Sequence, residues 1–147
     1  MHTVRQLLQT KGNEVWSVAP QTTVYQVLEL MADKNVGALV VVAGRKVVGI
    51  FTERDYARKV ILKGKDSKTV AVGELMTKNV LYVGPDETID KCMALMTDKH
   101  TRHLPVLEKG QLVGLISIGD VVKSVISDQQ FTIRELERYI VGGWPQT

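Results

Sequence analysis

Two short stretches hold the residue types most suited to chemistry: Gly49-Ile50-Phe51-Thr52-Glu53-Arg54-Asp55 and Gly114-Leu115-Ile116-Ser117-Ile118-Gly119-Asp120. In each, an apolar strand-like run ends in a hydroxyl residue, and an aspartate follows three positions later. Where a strand gives way directly to a helix, the first backbone N–H groups lack intrahelical partners, and the helix dipole adds partial positive charge. A phosphate fits such a place. A hydroxyl at the N-cap with a carboxylate one turn on can also hold a vicinal diol: the carboxylate bridges two ribose hydroxyls and the hydroxyl residue adds a third contact. The same spacing has a plainer reading. Thr52-x-x-Asp55 and Ser117-x-x-Asp120 are close to capping boxes, whose side chains only satisfy the helix's own N–H groups. Recurrence of the pattern at equivalent positions, each time after a glycine-initiated strand, favours a ligand.

The recurrence is part of a longer one. The second stretch follows the first by 65 residues (Gly49 to Gly114), and the same offset superposes Val18-Ala19-Pro20 on Val83-Gly84-Pro85, Leu30-Met31 on Leu95-Met96, Asp33-Lys34 on Asp98-Lys99, and Val48-Gly49 on Val113-Gly114. A period of this length marks a duplicated supersecondary unit. Each unit alone would leave an apolar face uncovered, so the two should pack together.

The elements that must position the motifs follow from local patterns. Thr3-Val4-Arg5-Gln6-Leu7-Leu8 suits a short helical turn, broken by Lys11-Gly12-Asn13. Val15 to Val18 reads as a strand ending at Pro20. Thr23-Val24-Tyr25-Gln26 is a capping box, and Val24, Val27, Leu28 and Met31 follow the spacing of one helical face, predicting a helix to about Lys34. Ala38–Ala43 and Lys46–Phe51 form a hairpin around Gly44-Arg45, and a helix runs from Thr52 to about Leu62. In the second unit Val80–Gly84 is a strand, Ile89, Cys92, Met93 and Met96 repeat the helical face, and Leu104–Leu107 and Gln111–Ile116 form the hairpin. Ser117–Ser127 is the closing helix. Each unit is thus β-α-β-β-α, an α+β (α/β) fold with pseudo-twofold symmetry. Val72–Thr77 reads as a helical lead-in to the second unit. Thr132-Ile133-Arg134-Glu135 is a further capping box, opening a separate tail helix striped by Ile133, Leu136 and Ile140 and ended by Gly142-Gly143. The expected divisions are 1–14, an N-terminal segment; 15–64, the first motif; 65–79, a linker with a short helix; 80–127, the second motif; and 128–147, the C-terminal helix and tail.

Bulk properties narrow the function classes. The chain has 147 residues, 44% hydrophobic and 24% charged, with net charge +3. That suits one globular unit with a real core. The basic residues are dispersed apart from Arg58, Lys59, Lys63, Lys65 and Lys68, too few for a nucleic-acid partner on charge alone. No apolar run reaches a membrane span, the start lacks the apolar core of a signal peptide, and one cysteine excludes an internal disulfide. Together these point to the cytoplasm.

At this point the chain resembles the CBS-domain family, the modules first named in cystathionine β-synthase. The residues that carry the resemblance are Val18-x-Pro20, the helix through Met31, Val48-Gly49-Ile50-Phe51-Thr52-x-x-Asp55 and their partners in the second unit. Arg102-His103-Leu104-Pro105-Val106 and Met76-Thr77 add to it. The resemblance implies a disc-like module of two motifs with two clefts at their interface. These would take adenosine ligands: AMP first, then ATP or ADP, NAD, and S-adenosylmethionine. Thr52 and Asp55 would serve the ribose in one cleft, Ser117 and Asp120 in the other. Adenine contacts are expected near Val18, Ala19 and Ala38, or near Val83, Gly84 and His103, and phosphate contacts from Arg54, Arg102 and His103. The halves differ: Arg54 becomes Gly119, Gly37-Ala38 becomes Arg102-His103, and Val40 becomes Pro105, so the clefts should not be equivalent. Whether Arg102 and His103 face the first cleft or their own is open at this level.

Other chemistry is weaker. Cys92, His100 and His103 invite a metal, but Cys92 falls on the apolar helical face and no set completes a tetrahedral site. Trp16 fits core or rim packing, and Trp144 fits a tail or oligomer anchor. No activated nucleophile is present, and the symmetric repeat places Asp55 and Asp120 in separate clefts instead of flanking one bond. The expectation is a regulatory adenine-nucleotide sensor and not an enzyme, forming a homodimer and signalling to an unidentified effector protein. The alternative is a ligand-independent dimerisation scaffold whose S/T-x-x-D motifs are helix caps only.

Overall fold

A computed structural model of the chain describes residues 2–12 and 14–143. Its elements are α1 (Val4–Lys11), β1 (Ser17–Val18), α2 (Val24–Lys34), β2 (Ala38–Ala43), β3 (Lys46–Thr52), α3 (Glu53–Asp55), α4 (Val72–Leu75), α5 (Ile89–Lys99), β4 (His103–Glu108), β5 (Gln111–Ser117) and α6 (Ile118–Gly143). α3 continues without a break as a π-helical segment, Tyr56–Ile61. Both units contain the expected helix and antiparallel hairpin, α2 with β2–β3 in the first and α5 with β4–β5 in the second.

Local chemistry accounts for most of these boundaries. The Thr23 hydroxyl accepts the Gln26 N–H, and the Gln26 side chain accepts the Thr23 N–H, both at 3.2 Å. α2 and α5 then end at left-handed Asn35 and His100, equivalent positions in the repeat. The period of two in the strands divides their residues between two surfaces. Leu39, Val41 and Phe51 enter the first core with Val24, Val27 and Met31. Leu104, Val106 and Ile116 enter the second with Ile89, Cys92 and Met96. Burying each such side chain contributes about 1.5–3 kcal/mol. The alternate residues Val40, Ile50 and Pro105 are also buried but join neither core. They lie on the faces turned to the other half, where β3 approaches β5.

The short helices are exchanged between the halves. α1 puts Val4, Leu7 and Leu8 into the second core and is tied there by Val4 N–H to Glu87 O (2.9 Å) and Arg5 N–H to Pro85 O (2.8 Å). α4, expected to lead into the second unit, instead packs Val72 in the first core. Val72 N–H donates to Thr22 O (2.7 Å) and Gly73 N–H to Pro20 O (2.9 Å). Two glycines make room for this exchange. A Cβ on Gly49 would lie 2.3 Å from Met76 Sδ, and one on Gly114 would lie 2.8 Å from Leu8 Cδ2.

Three expectations are corrected. Val80–Gly84 is not a strand: Val83 makes one parallel bridge to Val106, with Val83 N–H donating to Pro105 O and Leu107 N–H to Val83 O. The next rung would need an N–H from residue 105, and proline has none. In the first half Val40 occupies that position, and β1 pairs over both Ser17 and Val18, although not from Val15. Third, the closing and tail helices are one helix, α6. Asp128-Gln129-Gln130-Phe131 contains no glycine or proline to break it, so Thr132 lies in a helix interior and caps nothing. Trp144 lies outside the described residues.

Candidate functional site

The two hydroxyl–aspartate motifs form real capping boxes. Asp55 Oδ2 accepts the Thr52 N–H at 3.0 Å, while Thr52 Oγ1 accepts the Asp55 N–H at 3.1 Å. In the second copy Asp120 Oδ2 accepts the Ser117 N–H at 2.8 Å, and Ser117 Oγ accepts the Asp120 N–H at 3.2 Å. The plainer reading of the spacing is therefore realised in both halves. It does not exhaust the carboxylates, and their remaining partners set the two copies apart.

Asp55 is 9% exposed and sits at the wall of a cavity of about 610 Å³ between the halves, within the usual range for small-molecule sites. Gly37, Thr52, Arg54 and Asp55 line it from the first half, and Arg102 and His103 from the second. Thr77, which follows α4, donates its hydroxyl to Asp55 Oδ1 and Oδ2 at 3.3 and 3.4 Å, and Lys59 pairs with Oδ1 at 3.2 Å. The Thr77 contacts are the longest on this carboxylate, and so the ones a ribose hydroxyl displaces most readily. Arg102 and His103 thus face the first cleft, across from Thr52 and Asp55. Gly37 adjoins His103 across the cleft: a Cβ there would lie 3.8 Å from His103 Nε2, an ordinary contact distance.

The second motif is differently occupied. Lys11, from the last turn of α1, places Nζ 2.5 Å from Asp120 Oδ2 and 2.6 Å from Leu115 O. Burial alone would push the Asp120 carboxyl up, but the Lys11 ammonium and the Ser117 N–H together hold it below the ordinary carboxylate range. Asp120 also borders a separate cavity of about 550 Å³ between α1 and α6, which contains neither Ser117 nor Gly119. Lys11 carried no signal in the sequence beyond preceding a helix-breaking glycine. Its role depends on the exchange of α1 into the second half.

Besides Ser117, Gly119 and Asp120 of the second motif, other expected contact residues lie outside the lining of the inter-half cavity. Val18 and Val83 are tied to β2 and β4 by bridging, Ala19 is exposed, and Ala38 and Pro105 are buried in the hairpins. Residues the motifs did not indicate do line it, among them Glu53, Thr77, Asn79, Leu81, Lys99 and Thr101. Cys92 is fully buried in the second core, where burial pushes its thiol up to about 11. His100 is the left-handed C-cap of α5. Among the described residues no three His, Cys, Asp or Glu side chains gather to hold a metal, and no helix is long and apolar enough to cross a membrane. Trp16 packs at the edge of the first core with Lys34 Nζ 4.3 Å from its ring centre.

His103 is the titrating group at this junction. Burial foremost, and then the Lys11 and Arg102 charges, hold its imidazole below the usual value, while Asp120 and Glu53 pull the other way. The neutral form is favoured in the folded state. As pH falls below about 6.5, the unfolded chain takes up a proton that folded His103 resists, so stability drops until the folded value is passed. The stability difference between wild type and His103→Gln, from urea unfolding at a series of pH values, should therefore shrink or reverse on acidification. A constant difference across pH would show that His103 is not held neutral.

A family profile described as CBS domain matches residues 4–62 and 72–127. The first match includes α1, so that helix belongs to the first repeat in sequence and to the second core in space. The mitochondrial CBS domain-containing protein CBSX3 of Arabidopsis thaliana is 38% identical over 152 aligned positions, spanning 97% of this chain and 73% of that protein. A solved CBS-domain protein of Burkholderia ambifaria MC40-6 is 54% identical with a TM-score of 0.83, covering 90% of this chain and 99% of that one. The CBS domain pair of protein MJ0100, solved with 5′-methylthioadenosine and S-adenosyl-L-methionine, is 21% identical with a TM-score of 0.76, covering 87% of this chain and 98% of that one. That last likeness is one of fold.

Proposed function

This chain belongs to the CBS-domain family, and from that premise we propose that it is a regulatory module, not an enzyme, that binds one adenosine ligand between its two motifs. The observation that carries this reading is the inter-half cavity, where the Thr52–Asp55 box faces Arg102 and His103. Asp55 and Thr52 take the ribose hydroxyls, and Arg54 and Arg102 take the phosphate. AMP fits this set first, followed by ATP or ADP, NAD and S-adenosylmethionine. A ligand held from both sides stabilises the arrangement in which the halves are closed on each other, and shifts that population. A homodimer partner or a separate effector protein reads the shift, which is the coupling between sites that allostery requires. The single cysteine suits a reducing compartment, and we place the protein in the cytoplasm.

A thermal-shift panel of AMP, ADP, ATP, NAD, NADH and S-adenosylmethionine tests the reading. A ligand at a hundredfold excess over its dissociation constant adds about 2.7 kcal/mol of stability, an easily visible shift. No shift with any of them favours the second reading, a dimerisation scaffold. The observation on its side is that both S/T-x-x-D motifs form complete capping boxes.

The same reading assigns the second cleft a closed state. Lys11 already occupies the Asp120 carboxylate and the Leu115 carbonyl, and a ligand there would have to displace an ion pair that is only partly exposed. Calorimetry of the wild type is expected to give about one ligand per chain, and Lys11→Ala to raise this towards two. A stoichiometry unmoved by Lys11→Ala would show that something other than Lys11 limits the second cleft.

A further inference from the structure

α1 and the start of α6 run antiparallel along the second half, joined by an ion pair at each end. His2 Nε2, just before α1, meets Asp128 Oδ1, and Lys11 Nζ meets Asp120 Oδ2, both at 2.5 Å. The apolar edges of the two helices, Leu7 and Leu8 on α1 and Val121 and Val125 on α6, pack in the second core. Beside that edge α6 turns polar: Asp120, Lys123, Ser124 and Ser127 follow the i, i+3, i+4, i+7 spacing of one helical stripe. The serines are short. The helices therefore meet at both ends and along their base but not between, and a cavity of about 550 Å³ stays open there. Neither Ser117 nor Gly119 lines it, so it is not the second cleft.

We propose that this cavity is a binding site for a small organic phosphate, separate from both clefts between the motifs. Donors and charge select the ligand. Asp120 is the one carboxylate in the lining, and Lys11 neutralises it. Lys123 lines the cavity as well and takes part in no ion pair among the described residues, so the walls carry a net positive charge. An ammonium has three N–H donors. Lys11 spends one on Asp120 Oδ2 and one on Leu115 O, and the third remains for a ligand. The Gln6 amide oxygen accepts the Thr3 N–H at 2.9 Å, which leaves its NH2 group to donate. Ser124 and Ser127 add two hydroxyls. Two ammonium groups, an amide and two hydroxyls match the three strong acceptor oxygens of a phosphate monoester. The cavity holds more than the phosphate alone, and Leu7 with the methylene stems of the lysines offers the carbon part an apolar wall.

The test titrates glycerol 3-phosphate, inorganic phosphate and glycerol into the full chain without nucleotide, so it is independent of the adenosine reading. Calorimetry gives the affinity, and backbone amide NMR shifts give the place. Glycerol 3-phosphate should bind saturably and more tightly than inorganic phosphate, and glycerol should not bind. The shifts should include residues 6–11 and 120–127. Lys123→Glu should weaken binding at least about tenfold, Lys123→Arg should retain it, and Ser127→Leu, which fills the cavity, should abolish it. Lys123 and Ser127 are exposed, and a melting curve for each variant checks folding. Shifts confined to the surroundings of Thr52 and Asp55 would put the phosphate in the inter-half cavity and overturn the proposal. So would no saturable binding, no preference for glycerol 3-phosphate over inorganic phosphate, or binding that survives both Lys123→Glu and Ser127→Leu.

Discussion

Asp55→Ala is expected to weaken binding of an AMP-type ligand about 10- to 100-fold, while Asp120→Ala leaves it within about twofold. A hydrogen bond to a charged group contributes about 1.5–3 kcal/mol, and each 1.4 kcal/mol is a factor of ten in affinity. Asp55 is the carboxylate at the wall of the open cavity, with Arg102 and His103 opposite. Asp120 is already bonded to Lys11. Both aspartates also cap helices, so each alanine variant should lose about 1 kcal/mol of stability without any ligand. Asp55→Asn separates the two effects: its amide oxygen can still accept the Thr52 N–H, but the charge is gone. It should melt near wild type and still bind weakly. Calorimetry alongside ligand-free melting reads both quantities. If Asp55→Ala melts lower yet binds as the wild type does, the motif is a cap and the scaffold reading gains. If Asp120→Ala is the variant that loses binding, the ligand occupies the other cleft.

The second large effect concerns α1. Leu8→Ala should destabilise the protein by about 2–5 kcal/mol, a large share of the 5–15 kcal/mol typical of a whole domain. Leu8 is 8% exposed and lies directly over Gly114, so the alanine leaves a void that the strand cannot move in to fill. The damage should appear in the second half although residue 8 lies at the start of the first repeat. Hydrogen exchange is expected to show lost protection in β4 and β5, with β2 and β3 affected less. Equal loss in both hairpins would mean that the halves unfold as one unit. Loss confined to β2 and β3 would contradict the packing of α1 described above.

Most of the individual elements were legible in the sequence because their signals are local. A threonine or serine with a partner three residues on fixes a helix start, as at Thr23, Thr52 and Ser117. Alternating apolar residues fix the hairpins. The 65-residue offset gave the duplication, and with it the pairing of Thr52-x-x-Asp55 with Ser117-x-x-Asp120. The errors came where a distant residue decides. Val80–Gly84 has strand-like residues, but the donor it lacks is on Pro105. Thr132-x-x-Glu135 has the form of a helix start, yet nothing before it ends the helix already running.

The sequence by itself determined the fold class, the repeat, the two hydroxyl–aspartate motifs and the inequivalence of the halves, since each is written in residue types at short spacings or in a fixed offset. Only the tertiary structure decided which half each short helix serves. Val4-Leu7-Leu8 and Val72-Leu75-Met76 are apolar faces of the same kind, and either could fill either core; the hydrogen bonds from Val4 to Glu87 and from Val72 to Thr22 settle the exchange. That exchange carries Lys11 onto Asp120. The packing of the two sheets carries Arg102 and His103 to the cleft of Thr52 and Asp55, so one motif is left facing an open cationic cavity and the other is closed by a lysine. Spacing along the chain does not encode such pairings, because they depend on how two nearly identical surfaces pack against each other.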